Sequence, residues 1–336
     1  MKMRMKKIPL LAKELAFFDE KQGGIMKVIF MGTPDIAVPA LEKIIEAGHE
    51  VVLVVSQPDK PVGRSKALKY TAVKECALAH GIEVYQPEKI RAAESVAYLQ
   101  QFDVDVIVVE AFGQLIPQAV LDIPKHCCVN IHTSLLPKYR GAAPIQWAIL
   151  NGDMVTGVTT MRMEAGLDTG DIIMQIEKII NEGETTGTLF DRLARAGAKL
   201  IVQTLEAIEN GTATYTPQDE SKATHVTKIT KEMGSIDWSR GAKEIECWIR
   251  GMDPWPSAYT KLDDKNVKIW KAKVVSDEQL AKPGTIVCVT KNALEVQTGD
   301  GILAILELQM EGKKRMTTEA FLCGYAVEEG IVFKRG

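Results

Sequence analysis

The feature that most constrains the fold is an alternation of apolar runs and helical segments between residues 26 and 210. Short runs rich in Val and Ile lie at 28–31, 51–55, 104–109 and 129–131. Helical patterns lie at 38–47, 72–79 and 189–208. Strands covered on both faces have such near-continuous apolar runs, and strands that alternate with helices need crossover connections. The pattern therefore predicts a Rossmann-like α/β domain with a mostly parallel sheet over residues 26–210.

The second part of the chain has a different pattern. Residues 211–229 are predicted to be a linker, and beyond it the strands become short, with polar and apolar residues in alternation. Such strands are predicted at 267–274, 285–289, 293–297 and 302–308. Turn residues such as Asn292 and Gly299 separate them. Short strands joined by turns predict an OB-like antiparallel β-barrel domain over residues 230–336.

Length and composition limit the class of protein. With 336 residues, 46% hydrophobic and 25% charged, the chain is long enough for two ordinary globular domains. The net charge of −3 excludes a generally basic nucleic-acid binder and leaves local basic patches open. No apolar run approaches the roughly 20 residues that a membrane span needs, so we expect no membrane partner. The six cysteines form no CxxC pair, and we interpret them as buried thiols of a cytoplasmic protein without a bound metal.

Residues 1–25 are predicted to be an N-terminal extension that is not part of the fold. Their longest apolar run is shorter than the roughly 7–15 residues of a signal-peptide core. The first predicted strand follows directly after Met26, and our hypothesis is that Met26 is the native start. The intact mass of the endogenous protein tests this, and a chain beginning at Met1 would contradict it.

A group of polar residues follows the last of these apolar runs. Asn130 and His132 stand two residues apart, so in a strand both side chains lie on one face. The chain then enters a Pro- and Gly-rich loop, at the sheet edge where open α/β sheets bind ligands. Asp168 lies in a second Gly-rich segment. An amide and an imidazole can stabilise an oxyanion and a carboxylate can move a proton, so we predict that these residues form a catalytic site.

Two familiar kinds of site are missing from the sequence. The turn after the first strand, Gly-Thr-Pro-Asp at 32–35, lacks the GxGxxG glycines that bring a backbone close to a dinucleotide. We therefore expect no nicotinamide or flavin cofactor. Ser134 follows His132 on a loop and not in a Gly-x-Ser-x-Gly elbow, so a serine nucleophile is not predicted.

Two basic segments are candidates for contacts with nucleic acid. Residues 57–69 form a polar loop after a predicted strand, where length and position favour a mobile lid over a solvated connection. The cations of this loop are Lys60, Arg64, Lys66 and Lys69. The second segment is Lys313-Lys314-Arg315, in a region (221–336) with 18 Lys and Arg against 16 Asp and Glu. It suits contacts to phosphates, with a solvated charge cluster as the equal alternative.

The polar residues belong to longer motifs: Asn130-x-His132, Ser134-Leu-Leu-Pro137, Tyr139-Arg-Gly-Ala-Ala-Pro-Ile145 and Gly166-Leu-Asp-Thr-Gly-Asp171. With these motifs the chain resembles the 10-formyltetrahydrofolate-dependent formyltransferases, and the separation of 36 residues between His132 and Asp168 also matches that family. Other segments resemble the branch of the family that acts on initiator tRNA charged with methionine: 30–35, 57–64, 151–153, 236–238, 253–256 and 299–302. One departure is Glu-Ala-Phe-Gly at 110–113, where the family often has Ala-Tyr-Gly.

The resemblance implies a reaction and a role for each candidate residue. The α-amine of methionine on initiator tRNA attacks the formyl carbon of 10-formyltetrahydrofolate, with Asn130 and His132 stabilising the oxyanion and Asp168 holding His132. The implied folate-binding residues are Ser134, Leu135, Leu136, Pro137, Phe112, Gly113, Gln114 and Leu115. The implied tRNA-binding residues are Lys60, Arg64, Lys66, Lys69, Lys313, Lys314 and Arg315. We expect a cytoplasmic monomer that serves translation initiation.

Three other functions remain open at this point. A family member that formylates a small molecule, such as glycinamide ribonucleotide or a nucleotide-linked amino sugar, would not need both the 57–69 loop and a basic barrel. A formyl-folate hydrolase would use water in place of the amine, and it usually carries a regulatory domain before the catalytic one. A tRNA-binding module without activity would not need Asn130, His132 and Asp168 together.

Overall fold

The computed structural model of the chain describes residues 24–62 and 67–336. The hypothesis about residues 1–25 therefore falls almost wholly outside the described residues and stays a prediction. Secondary-structure elements are numbered in chain order. The strands of the first part are β1 (Lys27–Gly32), β2 (Glu50–Val55), β3 (Lys60–Val62), β4 (Ala67–Lys69), β5 (Val84–Tyr85), β6 (Val106–Glu110), β7 (Cys127–His132), β8 (Arg140–Gly141), β9 (Val155–Arg162), β10 (Ile172–Ile179) and β11 (His225–Val226).

The second part of the chain adds a further group of strands: β12 (Ala258–Leu262), β13 (Lys265–Ser276), β14 (Ile286–Val289), β15 (Leu294–Gln297), β16 (Ile302–Met310) and β17 (Met316–Thr317). The helices are α1 (Val38–Glu46), α2 (Ala72–Ala79), α3 (Ala93–Leu99), α4 (Gln118–Leu121), α5 (Pro144–Leu150), α6 (Thr186–Glu209), α7 (Ala242–Gly251) and α8 (Thr318–Leu322). Short 3₁₀ turns lie at Asp35–Ala37, Glu220–Lys222 and Glu232–Gly234.

The first domain is built on a seven-stranded sheet in the order β10-β9-β7-β6-β1-β2-β5. The five strands from β7 to β5 are parallel. At the other edge, β9 is antiparallel to β7 and β10 is antiparallel to β9. Two apolar clusters cover the two faces of this sheet, one with α1 and α6 and the other with α3 and α4. The predicted Rossmann-like, mostly parallel sheet is therefore confirmed.

The long helix α6 lies against β7, the strand that carries the predicted catalytic residues. Thr185 precedes the helix as its N-cap, and its hydroxyl accepts a hydrogen bond from the Thr188 backbone N–H in the first turn. Gly197 lets the helix approach the sheet closely, because a Cβ at this position would lie 3.0 Å from Cγ2 of Ile131. The close packing of α6 fixes the middle of β7 from one side.

The second domain contains a six-stranded antiparallel sheet in the order β12-β13-β16-β15-β14, with β17 paired to β16. The C-terminal segment closes it, because Lys334 bridges to Lys261 of β12 and Val332 bridges to Thr285 just before β14. The two edge strands are thus joined through the chain terminus, and the sheet curls into a barrel. This arrangement confirms the predicted antiparallel barrel domain.

The two parts of the chain share apolar contacts. Helix α5 packs on α7, and Leu150 of α5 belongs to the apolar cluster of the second domain. The hydroxyl of Thr186 at the start of α6 donates to the carbonyl of Gly251 at 2.8 Å. The predicted linker, 211–229, is tied to the first domain at Thr216, which bridges to Ile172, and at β11, which pairs with β8. The domain boundaries themselves stay a prediction.

Candidate active site

Strand β7 ends at a cavity of about 600 Å³ at the carboxyl edge of the parallel strands. Asn130 and His132 both line this cavity, as does Asp168 from the segment between β9 and β10. Asn130 is half-buried, and His132 is only 6% exposed. The structure therefore brings together the three residues that the sequence nominates as catalytic, and it places the two β7 side chains on one face as their spacing predicts.

Asp168 contacts both partners through its carboxylate. One oxygen, Oδ1, accepts from the Asn130 Nδ2 amide at 3.4 Å. The other, Oδ2, lies 3.8 Å from Nδ1 of His132 and accepts a 2.8 Å hydrogen bond from the backbone N–H of Gly141. Asp168 has φ 55°, a left-handed conformation that non-glycine residues seldom adopt. A strained residue at a cavity is a common mark of a functional site.

The ring orientation of His132 follows from its second hydrogen bond. Its Nε2 lies 2.9 Å from the carbonyl oxygen of Tyr139. A carbonyl can only accept, so Nε2 carries a hydrogen and Nδ1 is the nitrogen that faces Asp168. The nitrogen available to a reacting group in the cavity is therefore Nδ1, while Nε2 anchors the ring.

A loop after β6 forms another wall of the same cavity. Phe112, Gly113, Gln114 and Leu115 all line it, as predicted for four of the folate-binding residues. Hydrogen bonds fix the loop: the carbonyl of Phe112 accepts from Thr33 Oγ1 at 2.9 Å and from Gln57 Nε2 at 3.2 Å. Leu115 is 79% exposed at the end of this wall. The folate role of these residues stays a prediction that their position favours.

The other four predicted folate residues, 134–137, are not among the residues that line the cavity. Ser134 is fully buried, and its hydroxyl donates to the carbonyl of Lys138 at 2.6 Å. Leu136 is also buried, and its carbonyl accepts from Gln175 Nε2 at 2.9 Å. Leu135 packs beside Gly157, and Pro137 follows a cis peptide bond. The segment forms a turn directly after His132, so its contact with folate stays a prediction.

Glu110 is a further residue of the site that was not predicted from the sequence, where its segment is marked only by a departure from the family pattern. Glu110 ends β6 and lines the cavity, yet its side chain is 1% exposed. Neither carboxyl oxygen has a hydrogen-bond partner among the described residues. Burial raises the pKa of this carboxyl well above its usual range, because loss of solvent disfavours the charged form. The next residue, Ala111, has φ 48°.

The 57–69 segment is only partly a loop. Lys60 and Lys69 face each other across the short antiparallel pair β3 and β4, where the sequence predicts no regular structure. Both lysines are exposed. Arg64 and Lys66 lie outside the described residues, so their roles stay predictions. The start of the segment is linked to the cavity wall, because Gln57 bonds to Phe112.

The basic segment of the barrel contains two kinds of cation. Lys313 and Lys314 are exposed and have no ion pair within the described parts of the chain. Arg315 is instead bonded to Glu307 at 2.8 Å and to Asp253 at 3.4 Å, with its guanidinium 5.0 Å from the centre of the Trp270 ring. The two lysines are therefore the freer candidates for a phosphate contact.

Lys228 is a further cation at the site, and no sequence motif contains it. It lies at the end of the predicted linker and lines the same cavity as Asn130, His132 and Asp168. No motif marks it, because its position depends on how the linker folds back onto the first domain.

Residues 24–62 and 67–336 contain no group of three or more His, Cys, Asp or Glu side chains placed to hold a metal ion. The six cysteines are free thiols, and Cys127, Cys128 and Cys247 are buried. The expectation of uniformly buried thiols was wrong for Cys323, which is exposed, while Cys76 and Cys288 are half-buried. Within the same residues, no helix combines the length and the apolar character needed to cross a membrane.

Comparison with known proteins shows which protein family has this architecture. Residues 26–205 match the formyl transferase family, and residues 228–326 match the formyl transferase C-terminal domain. A methionyl-tRNA formyltransferase of Agathobacter rectalis is 58% identical over 308 residues, which cover 92% of this chain and 99% of that protein. Its counterpart in Clostridioides difficile is 48% identical over 307 residues, 91% of this chain and 99% of that protein. Among solved structures, an N-formyltransferase from Helicobacter canadensis in complex with folinic acid and dTDP-3-aminofucose has a TM-score of 0.65 at 22% identity, covering 85% of this chain and all of that one.

The parallel sheet, the cavity at its carboxyl edge and the family matches define a two-domain formyl transferase. Within that class, the chain belongs to the methionyl-tRNA formyltransferase family.

Proposed function

We propose that Asn130, His132 and Asp168 are the catalytic residues with which this chain formylates the α-amine of methionine on initiator tRNA, with 10-formyltetrahydrofolate as formyl donor. The observation that carries the assignment is the position of the Asp168 carboxylate. It lies within reach of both the Asn130 amide and the His132 imidazole, at the wall of one cavity.

The geometry gives each residue a part in the transfer. The amine nitrogen bonds to the formyl carbon, and negative charge develops on the formyl oxygen. The Asn130 amide has two hydrogens, of which one points to Asp168, so the second is available to that oxygen. In the protonated form of the imidazole, Nδ1 of His132 is the other donor, because Nε2 already donates to the carbonyl of Tyr139. The carbon–N10 bond then breaks, and the proton lost by the amine reaches N10, with Asp168 as the group placed to carry it.

The two substrates are proposed to bind to different parts of the chain, folate in the cavity and tRNA on two basic segments. The loop 112–115 is proposed to contact folate within the cavity, and residues 134–137, in the turn after β7, are proposed to contact it as well. The 57–69 segment, through Lys60, Arg64, Lys66 and Lys69, is proposed to separate a weak first base pair of the acceptor stem, since a weak pair costs less to open. Lys313 and Lys314, with Arg315 beside them, are proposed to contact tRNA phosphates. We further propose that the protein acts as a monomer in the cytoplasm.

The test is formyl transfer to methionyl initiator tRNA, with methionyl elongator tRNA, glycinamide ribonucleotide and water as competing acceptors. We expect formylmethionyl-tRNA from the initiator and at most a small fraction of that rate from the elongator. Formate release without transfer would favour a hydrolase, and formylation of the small amine alone would overturn the tRNA assignment.

A further inference from the structure

The catalytic aspartate is held by a residue of the predicted linker. Nε2 of Gln218 donates to the carbonyl oxygen of Asp168 and to that of Gly170, each at 2.8 Å. Gln218 is 50 positions from Asp168 in the chain, so the contact is a tertiary one and not part of the Gly-rich turn. The same amide group therefore fixes two successive parts of the strained segment that presents the Asp168 carboxylate.

Gln218 is in turn fixed by a buried cation. Its Oε1 accepts from Nε of Arg140 at 3.0 Å and from Nη2 at 2.9 Å. Arg140 is 1% exposed, and its other guanidinium bonds run to Glu220 at 2.9 and 2.6 Å. With its Oε1 occupied by Arg140, Gln218 has its amide N–H groups directed at the two carbonyls. Bidentate bonds from a planar guanidinium leave little freedom for the glutamine to turn over.

Gly141, the residue after Arg140, also bonds to Asp168. The backbone N–H of Gly141 donates to Oδ2 of Asp168 at 2.8 Å. Arg140 and Gly141 form β8, which pairs with β11 of the linker. The Asp168 backbone and its carboxylate are thus both bonded to one unit, formed by β8 and the linker.

The linker supports His132 as well. Oγ1 of Thr224 accepts from the backbone N–H of Tyr139 at 2.8 Å, and the Thr224 carbonyl accepts from the backbone N–H of Arg140 at 2.8 Å. The carbonyl of Tyr139 is the acceptor for Nε2 of His132. Tyr139 has φ 63°, a second strained conformation in the same unit.

We propose that Gln218 is a positioning residue for formyl transfer, and that the linker holds the catalytic Asp168 in its productive orientation. The inference rests on the proposed catalytic role of Asp168. A carboxylate that must contact both Asn130 and His132 tolerates little displacement, and a shift of about 1 Å at a reacting group can lower a rate about a hundredfold. Gln218 is not itself among the residues that line the cavity, and its bond to Asp168 runs to the backbone carbonyl and not to the carboxylate, so it acts through the backbone of the Asp168 segment.

The discriminating variant is Gln218→Glu. A carboxylate still accepts from Arg140, so the buried guanidinium keeps its partner, but the donors to Asp168 and Gly170 are replaced by acceptors. We expect kcat to fall about tenfold or more, while KM for both substrates changes less than about threefold. Glu220→Gln is the matched control, because it alters the exposed end of the same Arg140 network and leaves the Gln218 amide in place; its kcat should stay within about twofold of wild type.

A double-mutant cycle separates positioning from general weakening of the fold. In the Asp168→Asn background, Gln218→Glu should lower the single-turnover rate by less than about twofold, because the group it positions is already disabled. An equal loss in both backgrounds, or a wild-type kcat for Gln218→Glu, would overturn the inference. A wild-type protein that fails to formylate methionyl initiator tRNA would instead refute the proposed function.

Discussion

At the level of single residues, two carboxyl groups beside the cavity, those of Asp168 and Glu110, differ in their hydrogen-bond partners. Asp168 has an amide, an imidazole and a backbone N–H around its carboxylate. Glu110 has no hydrogen-bond partner in the described parts of the chain, and its Oε1 lies 3.9 Å from the position that a Cβ would take on Gly197 of α6. The carboxylate of Asp168 is therefore compensated by its partners, whereas the carboxyl of Glu110 is an uncompensated polar group beneath a helix.

Glu110→Gln is expected to stabilise the protein relative to wild type by an amount that grows with pH. The carboxyl of Glu110 has an ordinary pKa of 4.5 when unfolded and a raised pKa when folded. Its contribution to stability is therefore complete below the unfolded pKa and is lost as pH rises toward the folded pKa. The free energy of unfolding of the wild type should therefore fall, relative to that of the variant, as pH rises between these two pKa values, with a limiting slope of about 1.4 kcal/mol per pH unit. Thermal unfolding of both proteins from about pH 5 to 8 measures this.

The control for this prediction is Glu246→Gln. Burial alone would raise the pKa of Glu246, but hydrogen bonds from Arg250 and Lys243 more than offset it and the pKa is lowered. That variant should lose stability at neutral pH, because it breaks a buried ion pair. A difference between wild type and Glu110→Gln that does not change with pH would contradict the neutral state of the buried carboxyl.

At the scale of elements, predictability followed the strength of the local pattern. Strands β1, β2, β6 and β7 are near-continuous apolar runs, and they were predicted to within a few residues. Strands β9 and β10 were not predicted: β9 contains three threonines, and β10 is an edge strand with alternating exposure. The β3–β4 pair was missed because each strand has only three residues, too few for a pattern to show within a polar segment.

In the candidate site, too, features with a local sequence pattern could be predicted and features that depend on tertiary contacts could not. The shared face of Asn130 and His132 follows from a period of two, and so it is readable from sequence. The orientation of Asp168 depends on Gln218 and Arg140, and the position of Lys228 depends on the fold of the linker. Contacts between distant parts of the chain leave no local pattern, so these residues could not be predicted.

Arg64→Ala tests the 57–69 segment as a tRNA-reading element. If this side chain separates the first base pair of the acceptor stem, its loss should raise KM for initiator tRNA about tenfold, while KM for 10-formyltetrahydrofolate changes less than about twofold. Steady-state kinetics with each substrate varied in turn measure both. Arg195→Ala, on the exposed side of α6, is the matched loss of an arginine and should leave both constants unchanged. An equal effect of Arg64→Ala on both substrates would contradict the assignment.

At the scale of the whole molecule, the two domains meet where α5 crosses α7. Gly251 ends α7, and a Cβ there would lie 2.6 Å from Cδ2 and 2.8 Å from Cγ of Leu150. The carbonyl of Gly251 also accepts from Thr186 at the start of α6. The absence of a side chain at this position therefore allows the second domain to approach the first.

Gly251→Ala is expected to force these helices apart, because the added methyl overlaps Leu150. Overpacking of this kind lowers the free energy of unfolding by about 1–3 kcal/mol. The thermal midpoint should fall, and KM for tRNA should rise more than KM for folate, since tRNA contacts are proposed on both domains. Gly324→Ala is the matched control, because the added methyl meets nothing within 4 Å. Equal midpoints for the two variants would show that the crossing accommodates a side chain.

Asp168 is proposed to act with Asn130 and His132 in formyl transfer, and the single-turnover rate of Asp168→Asn tests this role most directly. The amide has the size of the carboxylate but carries no charge and cannot accept the proton of the attacking amine. At saturating 10-formyltetrahydrofolate and methionyl initiator tRNA, we predict a rate about a hundredfold or more below that of wild type, with an unchanged thermal midpoint. A rate within about threefold of wild type would contradict the catalytic role of Asp168 and the account of the site built on it.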